Sequence, residues 1–460
     1  MARVIRSLDY DVVVVGGGSA GIAAAIAAAR NGSHTLLIDA GPMIGGELVS
    51  GLPLNACLNA RGEWVVGGIV RELLDRCDAM GGLVPPYFDW RSLWLVCVDP
   101  EIVKIAVMEM LAEAGVDLLL STIAEDVVLK DGIIAGLIAC NKQGRSRIRA
   151  RSFIDCTGDG ALSVMAGAPY ELGGDDGAFQ PVTLIFRMQG VETEPLLDFV
   201  RNDPSVAALG ERPDLLHLSK QHCADRLREQ QVPSVFFDGK ADFLASATRS
   251  GALYPCGLLA VCPLSISRRE VSINSTRLAN LDATDSRLLS QALPRLIEQV
   301  WQCATFLVER VPGFGRATFS GIAPRIGIRE TRRIMGLEVL SRDDVMQARK
   351  RPDAGIARGA HELDVHGGGD NHRREMIADG GDYDIPFGCL VPRNTRNLLV
   401  AGRCLSATRE AHGSARVMGT CMAMGQAAGT AAAMAPAGSD FAEIPIDTLR
   451  ERLSAQGAIV

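Results

Sequence analysis

Residues 11–39 constrain the chain more than any other stretch. Asp11-Val12-Val13-Val14-Val15 is a continuous β-branched run, the pattern of a strand buried on both faces of a parallel sheet. It runs directly into Gly16-Gly17-Gly18-Ser19-Ala20-Gly21, which places glycines at 16, 18 and 21 in the spacing G-x-G-x-x-G. An Ala/Ile-rich helix is predicted from about Ala20 to Arg30, stopped by Asn31-Gly32. Thr35-Leu36-Leu37-Ile38 then reads as a second parallel strand, finishing on Asp39 with Ala40 behind it. Each part has a physical task. Gly16 permits the tight turn, Gly18 lets a pyrophosphate approach the backbone, and Gly21 lets helix and strand pack closely. Ser19 and Ala20 open the helix, whose unpaired N–H groups and positive dipole end favour phosphate. Asp39 stands where a ribose hydroxyl would donate to it. A purely structural βαβ turn leaves an acid at the end of an apolar strand unexplained, so the pattern indicates dinucleotide binding.

Composition sets the outer limits. Hydrophobic residues at 47% and charged residues at 22% exclude wholesale disorder, and aromatics at 5% leave the core to Ala, Val, Leu and Ile. Glycine is in excess, 49 of 460 residues, with no collagen-like period, so these residues serve local turns, packing or ligand approach. The balance of 47 basic against 54 acidic residues, a net −7, argues against a nucleic-acid partner. None of the twelve cysteines forms C-x-x-C, and Cys256 and Cys262 have five residues between them. The lack of C-x-x-C excludes the local zinc and iron–sulfur signatures, and the Cys256–Cys262 spacing excludes a disulfide-reductase redox pair, so no metal is expected and the thiols are expected buried and reduced. Val12–Ala29 and Val417–Ala435 are apolar, but they carry glycines and lack interfacial aromatics, so they read as buried elements rather than membrane spans. Met1–Tyr10 has no apolar run of the signal-peptide kind, and a cytoplasmic location is expected.

Beyond Asp39 comes a glycine-rich loop containing Gly45-Gly46-Glu47. Val116–Ser121 reads as a strand, followed by a β-meander: Glu125–Leu129, an Asp131-Gly132 turn, Ile133–Cys140, a Lys142-Gln143-Gly144 turn, and Arg147–Ile154. The meander returns to Ile154-Asp155-Cys156-Thr157-Gly158-Asp159-Gly160. Near the other end, Asn397–Ala401 is an apolar strand running into Gly402-Arg403. Glu410-Ala411-His412-Gly413-Ser414-Ala415-Arg416 follows, then a small-residue helix from Gly419 to Ala435.

Together these motifs resemble the FAD-dependent oxidoreductases of the glutathione-reductase-type fold, a family related to the flavoprotein subunits of succinate dehydrogenase and fumarate reductase. Ile154–Glu171, Ile326–Gly336 and Tyr383–Pro392 are similar to that family too, so the resemblance spans essentially the whole chain. It implies an α/β protein with a Rossmann-like FAD domain and β-meander crossover. Residues 1–163 would form that domain, residues 379–460 would complete it, and residues 164–378 would be an inserted α+β substrate cap. The implied cofactor is FAD, contacted through Gly16, Gly18, Ser19, Ala20, Gly21, Asp39, Ala40, Gly45, Gly46, Glu47, Gly158, Asp159, Gly402 and Arg403. The closing helix, through Gly419, Thr420, Cys421 and Met422, would aim its positive end at the flavin pyrimidine edge. Gly419 is a departure, since the family pattern leads one to expect proline after Arg-Val-Met.

In the succinate dehydrogenase relatives, His and Arg of an H-G-x-x-R motif hold a substrate carboxylate, and His412 to Arg416 has that spacing. Arg403 replaces the acid of the relatives' preceding motif, and the gap to His412 is three residues longer. His412 is the leading candidate for a general base or carboxylate ligand, with Glu410 orienting it or pairing with Arg416. His366 is a secondary candidate. Arg329, Glu330, Arg332 and Arg333 form a dense cluster, either a structural ion pair or, through Arg329, an anion-binding group. No second phosphate-binding fingerprint follows, which argues against a separate NAD(P)H domain. Gly367-Gly368-Gly369 reads as a loop, within a polar segment Gly355–Asp382 that suits a loop or lid. Three readings stand at this level. One is oxidation of a small polar or anionic substrate by hydride transfer, the second is fumarate-reductase-like reduction of a carbon–carbon double bond, and the third is a non-enzymic binding or electron-transfer flavoprotein. The electron acceptor and oligomeric state are left open.

Overall fold

A computed structural model describes residues 4–174, 177–367, 372–436 and 438–460. The second and third glycines of the Gly367-Gly368-Gly369 loop, and with them the middle of the expected lid, lie outside the described residues. The molecule is mixed α/β, built on two principal sheets.

The first sheet realises the βαβ prediction. The strand Val4–Val15 pairs in parallel with Thr35–Ile38 on one side and with Gly144–Asp155 on the other, and Asp117–Leu119 extends the first edge. Val12 and Val14 belong to one core and Val13 and Val15 to another on the opposite face, which is why the run shows no polar alternation. The strand Gly144–Asp155 is shared. Its first half pairs with the antiparallel meander strand Ile133–Asn141, which in turn pairs with Ile123–Lys130, and its last residues pair in parallel with Leu398–Val400. The chain's last hundred residues thus complete a sheet begun by its first forty.

Two helices press together on this sheet. The fingerprint helix Ser19–Arg30 and the closing helix Met418–Met434 meet backbone to backbone, with the Gly425 and Gly429 positions set against the carbonyl oxygens of Ala20 and Ala24. The four-residue interval puts both glycines on one helical face, so the small-residue composition of the closing helix is a packing device. No helix among the described residues is long and apolar enough to cross a membrane.

The second sheet is five-stranded and antiparallel, in the spatial order Val235–Asp238, Leu258–Ser265, Glu270–Asn274, Phe186–Gln189, Thr318–Ile322. The long helix Ser286–Arg310 covers it and buries Leu296, Val300, Cys303, Phe306 and Leu307 in its core. That core draws on residues from Val182 to Ala317, whereas Leu340, Val345, Ile356, Leu363 and Ile377 pack into the first core. We therefore propose a cap ending well before residue 378. The polar Gly355–Asp382 segment also carries more structure than a loop reading supposes. Gly355–Gly359 pairs with Tyr383–Pro386, and Leu363–His366 forms a hairpin with His372–Glu375. All twelve cysteines are free, and eleven are buried.

Candidate active site

The carboxyl ends of the parallel strands open into a cleft between the two sheets, enclosing about 1320 Å³ including its open mouth. The fingerprint turn forms one wall. Gly16 has φ +105°, its N–H donates to the Ile38 carbonyl at 2.7 Å, and a Cβ there would lie 2.3 Å from the Cys156 carbonyl oxygen. A Cβ on Gly21 would lie 1.8 Å from the Gly16 carbonyl oxygen. The protein's own packing therefore requires both glycines. Gly18 differs, because its φ of −85° is open to any residue and a Cβ there would meet nothing within 4 Å. Internal packing gives no reason for glycine at 18, whereas a group lying against the turn does. Gly18 is also the N-cap, with no side chain capping the first N–H groups of the helix. The cradle thus fits the pyrophosphate of a dinucleotide.

Asp39 lines the same cleft, but its carboxylate also holds the loops together, accepting from Gly17 N–H at 2.6 Å and Gly41 N–H at 2.7 Å. Ala40 is exposed beside it, and Gly45 supports the wall by donating its N–H to the Gly17 carbonyl. Ser19, Ala20, Gly46, Glu47, Gly158, Gly402 and Arg403 line the cleft. Burial raises the pKa of the Glu47 carboxyl, opposed by Arg325, Arg403 and Arg329. The Asp155–Gly160 turn is fixed by Asp155, which accepts from the backbone and hydroxyl groups of Thr157 and Ser163. Asp159 stands one step back, accepting from Arg403 Nη2 at 2.7 Å and from the Thr331 hydroxyl at 2.9 Å.

The closing helix presents a different set of residues from the expected one. It begins at Met418 with Val417 as N-cap, and Arg416, Val417, Met418 and Cys421 line the cleft. Gly419, Thr420 and Met422 are buried behind it. Glycine at 419 is a close approach rather than a loosened helix start, because its N–H donates to the Asn55 carbonyl and a Cβ would lie 2.7 Å from that oxygen.

The largest correction concerns His412. It is fully buried and absent from the cleft wall, with Nε2 2.7 Å from the Arg403 carbonyl and Nδ1 buried without a partner. Burial and the surrounding arginines hold its pKa well below the ordinary histidine value. It props the 402–403 turn from behind. Glu410, in the first turn of the Arg409–Ala415 helix, bonds to neither His412 nor Arg416, so the expected orienting role has no contact to support it.

The arginine cluster divides its duties. Glu330 and Arg333 are buried and paired at 3.1 Å, and Glu330 also accepts from Arg409 and from Gln180 N–H. Arg332 lies over Tyr170 and donates to the Asp159 carbonyl. Arg329 alone of these four faces the cleft, its Nη1 anchored to the Pro181 carbonyl at 2.7 Å. Burial, reinforced by Arg416 nearby, pushes its pKa down to about 9. Asn55, His361, Asp364 and His366 join it. His361 is consistent with a neutral ring that donates from Nδ1 to the Glu362 carbonyl and accepts at Nε2 from Asn55, whose Oδ1 is left buried and unpaired.

The FAD dependent oxidoreductase family matches residues 11–453. The chain belongs to that family. FAD is its cofactor, and it is an enzyme rather than a flavin-binding scaffold. Two relatives share a short stretch with this family member. The tRNA uridine 5-carboxymethylaminomethyl modification enzyme MnmG of Treponema pallidum is 43% identical over 84 residues, 18% of this chain and 12% of that protein. The same enzyme of Ligilactobacillus salivarius is 44% identical over 77 residues, 17% and 10% of the respective chains. The match therefore spans about a tenth of those relatives' length. Among solved structures, a geranylgeranyl bacteriochlorophyll reductase-like protein of Thermoplasma acidophilum aligns at 14% identity and TM-score 0.44, covering 98% of this chain and 80% of that one. The flavin-dependent brominase Bmp2 aligns at 13% and 0.48, covering 96% and 83%.

Sequence reasoning missed Asn55, His361 and Asp364 in this FAD-dependent oxidoreductase. None sits in a spaced motif, and each reaches the cleft only through folding of the loops around it. Asp364-x-His366, alternating on a strand, carried the one usable signal.

Proposed function

We propose that this enzyme oxidises a small polar or anionic organic substrate held in the cleft by Arg329 and Arg416. The fingerprint turn and the Gly402-Arg403 turn would hold FAD, which would supply a two-electron acceptor for the substrate. The reading is carried by one observation: two arginines from distant segments converge on the cleft that the fingerprint turn also lines. Arg329 is fixed by the Pro181 carbonyl, while Arg416 Nη2 lies 3.3 Å from the Asp364 carbonyl and its Nε is buried without a partner. Two guanidiniums brought together under burial repel each other, and a carboxylate or similar anion between them relieves that repulsion.

The residues also orient and exclude. Asn55 leaves a buried acceptor at the wall, and Leu52, Pro53 and Ile328 supply apolar surface that keeps water from the bound substrate. Reduction of a carbon–carbon double bond called on His412 and Arg416 acting together, and the position of His412 behind the wall weighs against it. A small molecule rather than a polynucleotide is supported by the net charge of −7.

The test is anaerobic mixing of the flavin-loaded protein with hydroxy acids, amino acids, enoates and their neutral analogues. An acid should bleach the flavin, and Arg329→Met and Arg416→Met should each raise its KM about 10- to 100-fold. Equal reduction by neutral analogues, with KM unmoved in both variants, rejects the reading.

A further inference from the structure

The hairpin of Leu363–His366 and His372–Glu375 places three chemically active side chains together. Strand alternation sets Asp364 and His366 on one face, and the register brings His372 opposite His366. The Asp364 carboxylate is bridged between two imidazoles. Its Oδ2 lies 2.9 Å from His366 Nε2, and its Oδ1 contacts His372 Nε2. The rings stack with centroids 4.2 Å apart and planes at 12°. His366 lines both the main cleft and a smaller cavity beside it, while His372 lines only the smaller one. With each Nε2 turned to Asp364, neither Nδ1 has a hydrogen-bond partner among the described residues.

The trio also has the reach of a metal site, its ligand atoms lying within 4.8 Å of one another. The surrounding charge opposes that use. Arg416 Nη2 is 3.9 Å from Asp364 Oδ2, Arg329 acts on His366, and Arg277 donates to the Gly367 carbonyl at 2.7 Å. The Arg416 and Arg329 guanidiniums disfavour a divalent cation and favour an anion.

We propose that Asp364, His366 and His372 form a proton store in the cleft wall, which fills when an anion binds at Arg329 and Arg416. The inference rests on the anionic-substrate reading above. Without the anion, burial, reinforced by the Arg329 charge, pushes the His366 pKa down to about 3, so the ring is neutral. Burial is the larger cause and stays, but an anion paired with the arginines offsets the Arg329 charge, so that the Asp364 carboxylate, which already favours the protonated ring, tips the balance. His366 Nδ1 then takes one proton from water or buffer, while Nε2–H stays bonded to the Asp364 carboxylate and stabilises the imidazolium. No electron moves in this step, and the buffer loses the proton the ring gains. His372 carries the same network to the second cavity.

Calorimetric titration of the FAD-bound protein with sulfate, in buffers of unlike ionisation enthalpy, counts the protons taken up per anion. Sulfate should bind with proton uptake that grows as pH is lowered from about 8 to about 6. His366→Gln should still bind sulfate within about 10-fold, with uptake reduced at least about fivefold. Binding without uptake, or uptake undiminished in His366→Gln, overturns the proton store alone. Absence of sulfate binding overturns the anionic-substrate reading and the coupling with it. Micromolar zinc binding that is lost in His372→Gln makes the trio a metal site and also overturns the store.

Discussion

Replacing Gly425 with alanine puts a Cβ 2.1 Å from the Ala20 carbonyl oxygen and 2.8 Å from its carbonyl carbon. Both are backbone atoms of the fingerprint helix, so no rotamer change relieves the clash. Contacts of Cβ shorter than 3.0 Å are essentially never observed, and the two helices must part by about 1 Å in an interior packed like an organic crystal. Overpacking of that kind destabilises by about 1–3 kcal/mol, partly offset by the ~1 kcal/mol helix preference of alanine over glycine. Gly429 repeats the contact one turn later, 2.1 Å from the Ala24 carbonyl oxygen, so the double variant strains two successive turns. The displaced helix is capped by Gly18, and the shift therefore reaches the phosphate cradle. Guanidinium unfolding should show a lowered midpoint for Gly425→Ala and a larger drop for the double variant. Gel filtration should show both retaining less FAD than wild type. Gly315→Ala, whose Cβ would meet nothing within 4 Å, is the control and should leave both readouts unchanged. A Gly425→Ala midpoint at or above wild type would refute the reasoning, since helix propensity would then outweigh the contact.

Other consequences follow from single residues. Gly18→Ala should leave the flavin-free midpoint within about 0.5 kcal/mol of wild type while weakening FAD binding at least about 10-fold; a flavin-free protein that unfolds early would show that internal packing needs the glycine. His412 is held neutral in the fold and has an ordinary value of 6.5 when unfolded, so its contribution is complete above that value and shrinks as acid protonates the unfolded chain. Acidification from pH 7 to 5 should thus cost wild type about 2 kcal/mol more than His412→Asn, and equal losses in the two proteins would exclude a buried neutral ring. Glu330→Gln removes the buried anion that serves Arg333, Arg409 and Gln180 N–H, and should destabilise by about 3 kcal/mol; a wild-type midpoint would show the pair to be dispensable.

How far the sequence could be read follows from the range of the forces involved. The fingerprint turn, the two flanking strands and the meander are specified by neighbours in sequence: β-branched runs, turn glycines and a helix stop within a few residues. They therefore appeared in the chain before folding was considered. Even the parallel pairing of Leu398–Val400 with Phe153–Asp155 left a local trace, a short apolar strand ending on glycine. The cleft floor left no such trace. Asn55 arrives from a loop after the Gly45-Gly46 turn, His361 and Asp364 arrive some 300 residues later from just before and within a hairpin, and their partnership is decided by long-range packing.

His412 shows the same limit from the other side. A motif spacing places two residues one helical turn apart, and His412 and Arg416 do lie on adjacent turns. Spacing does not say which of the two the fold turns toward solvent. Arg416, at the helix end, reaches the cleft with a long side chain, whereas the imidazole one turn earlier is caught under the Arg403 carbonyl and sealed. The position of a proton-handling histidine therefore passes to His366. That residue has a strand rather than a helix beneath it, and period-two alternation sets its ring beside the Asp364 carboxylate, where the cleft and the second cavity meet. If that hairpin is the working element, replacing His366 should alter the pH profile of turnover, while replacing His412 should alter stability before it alters rate.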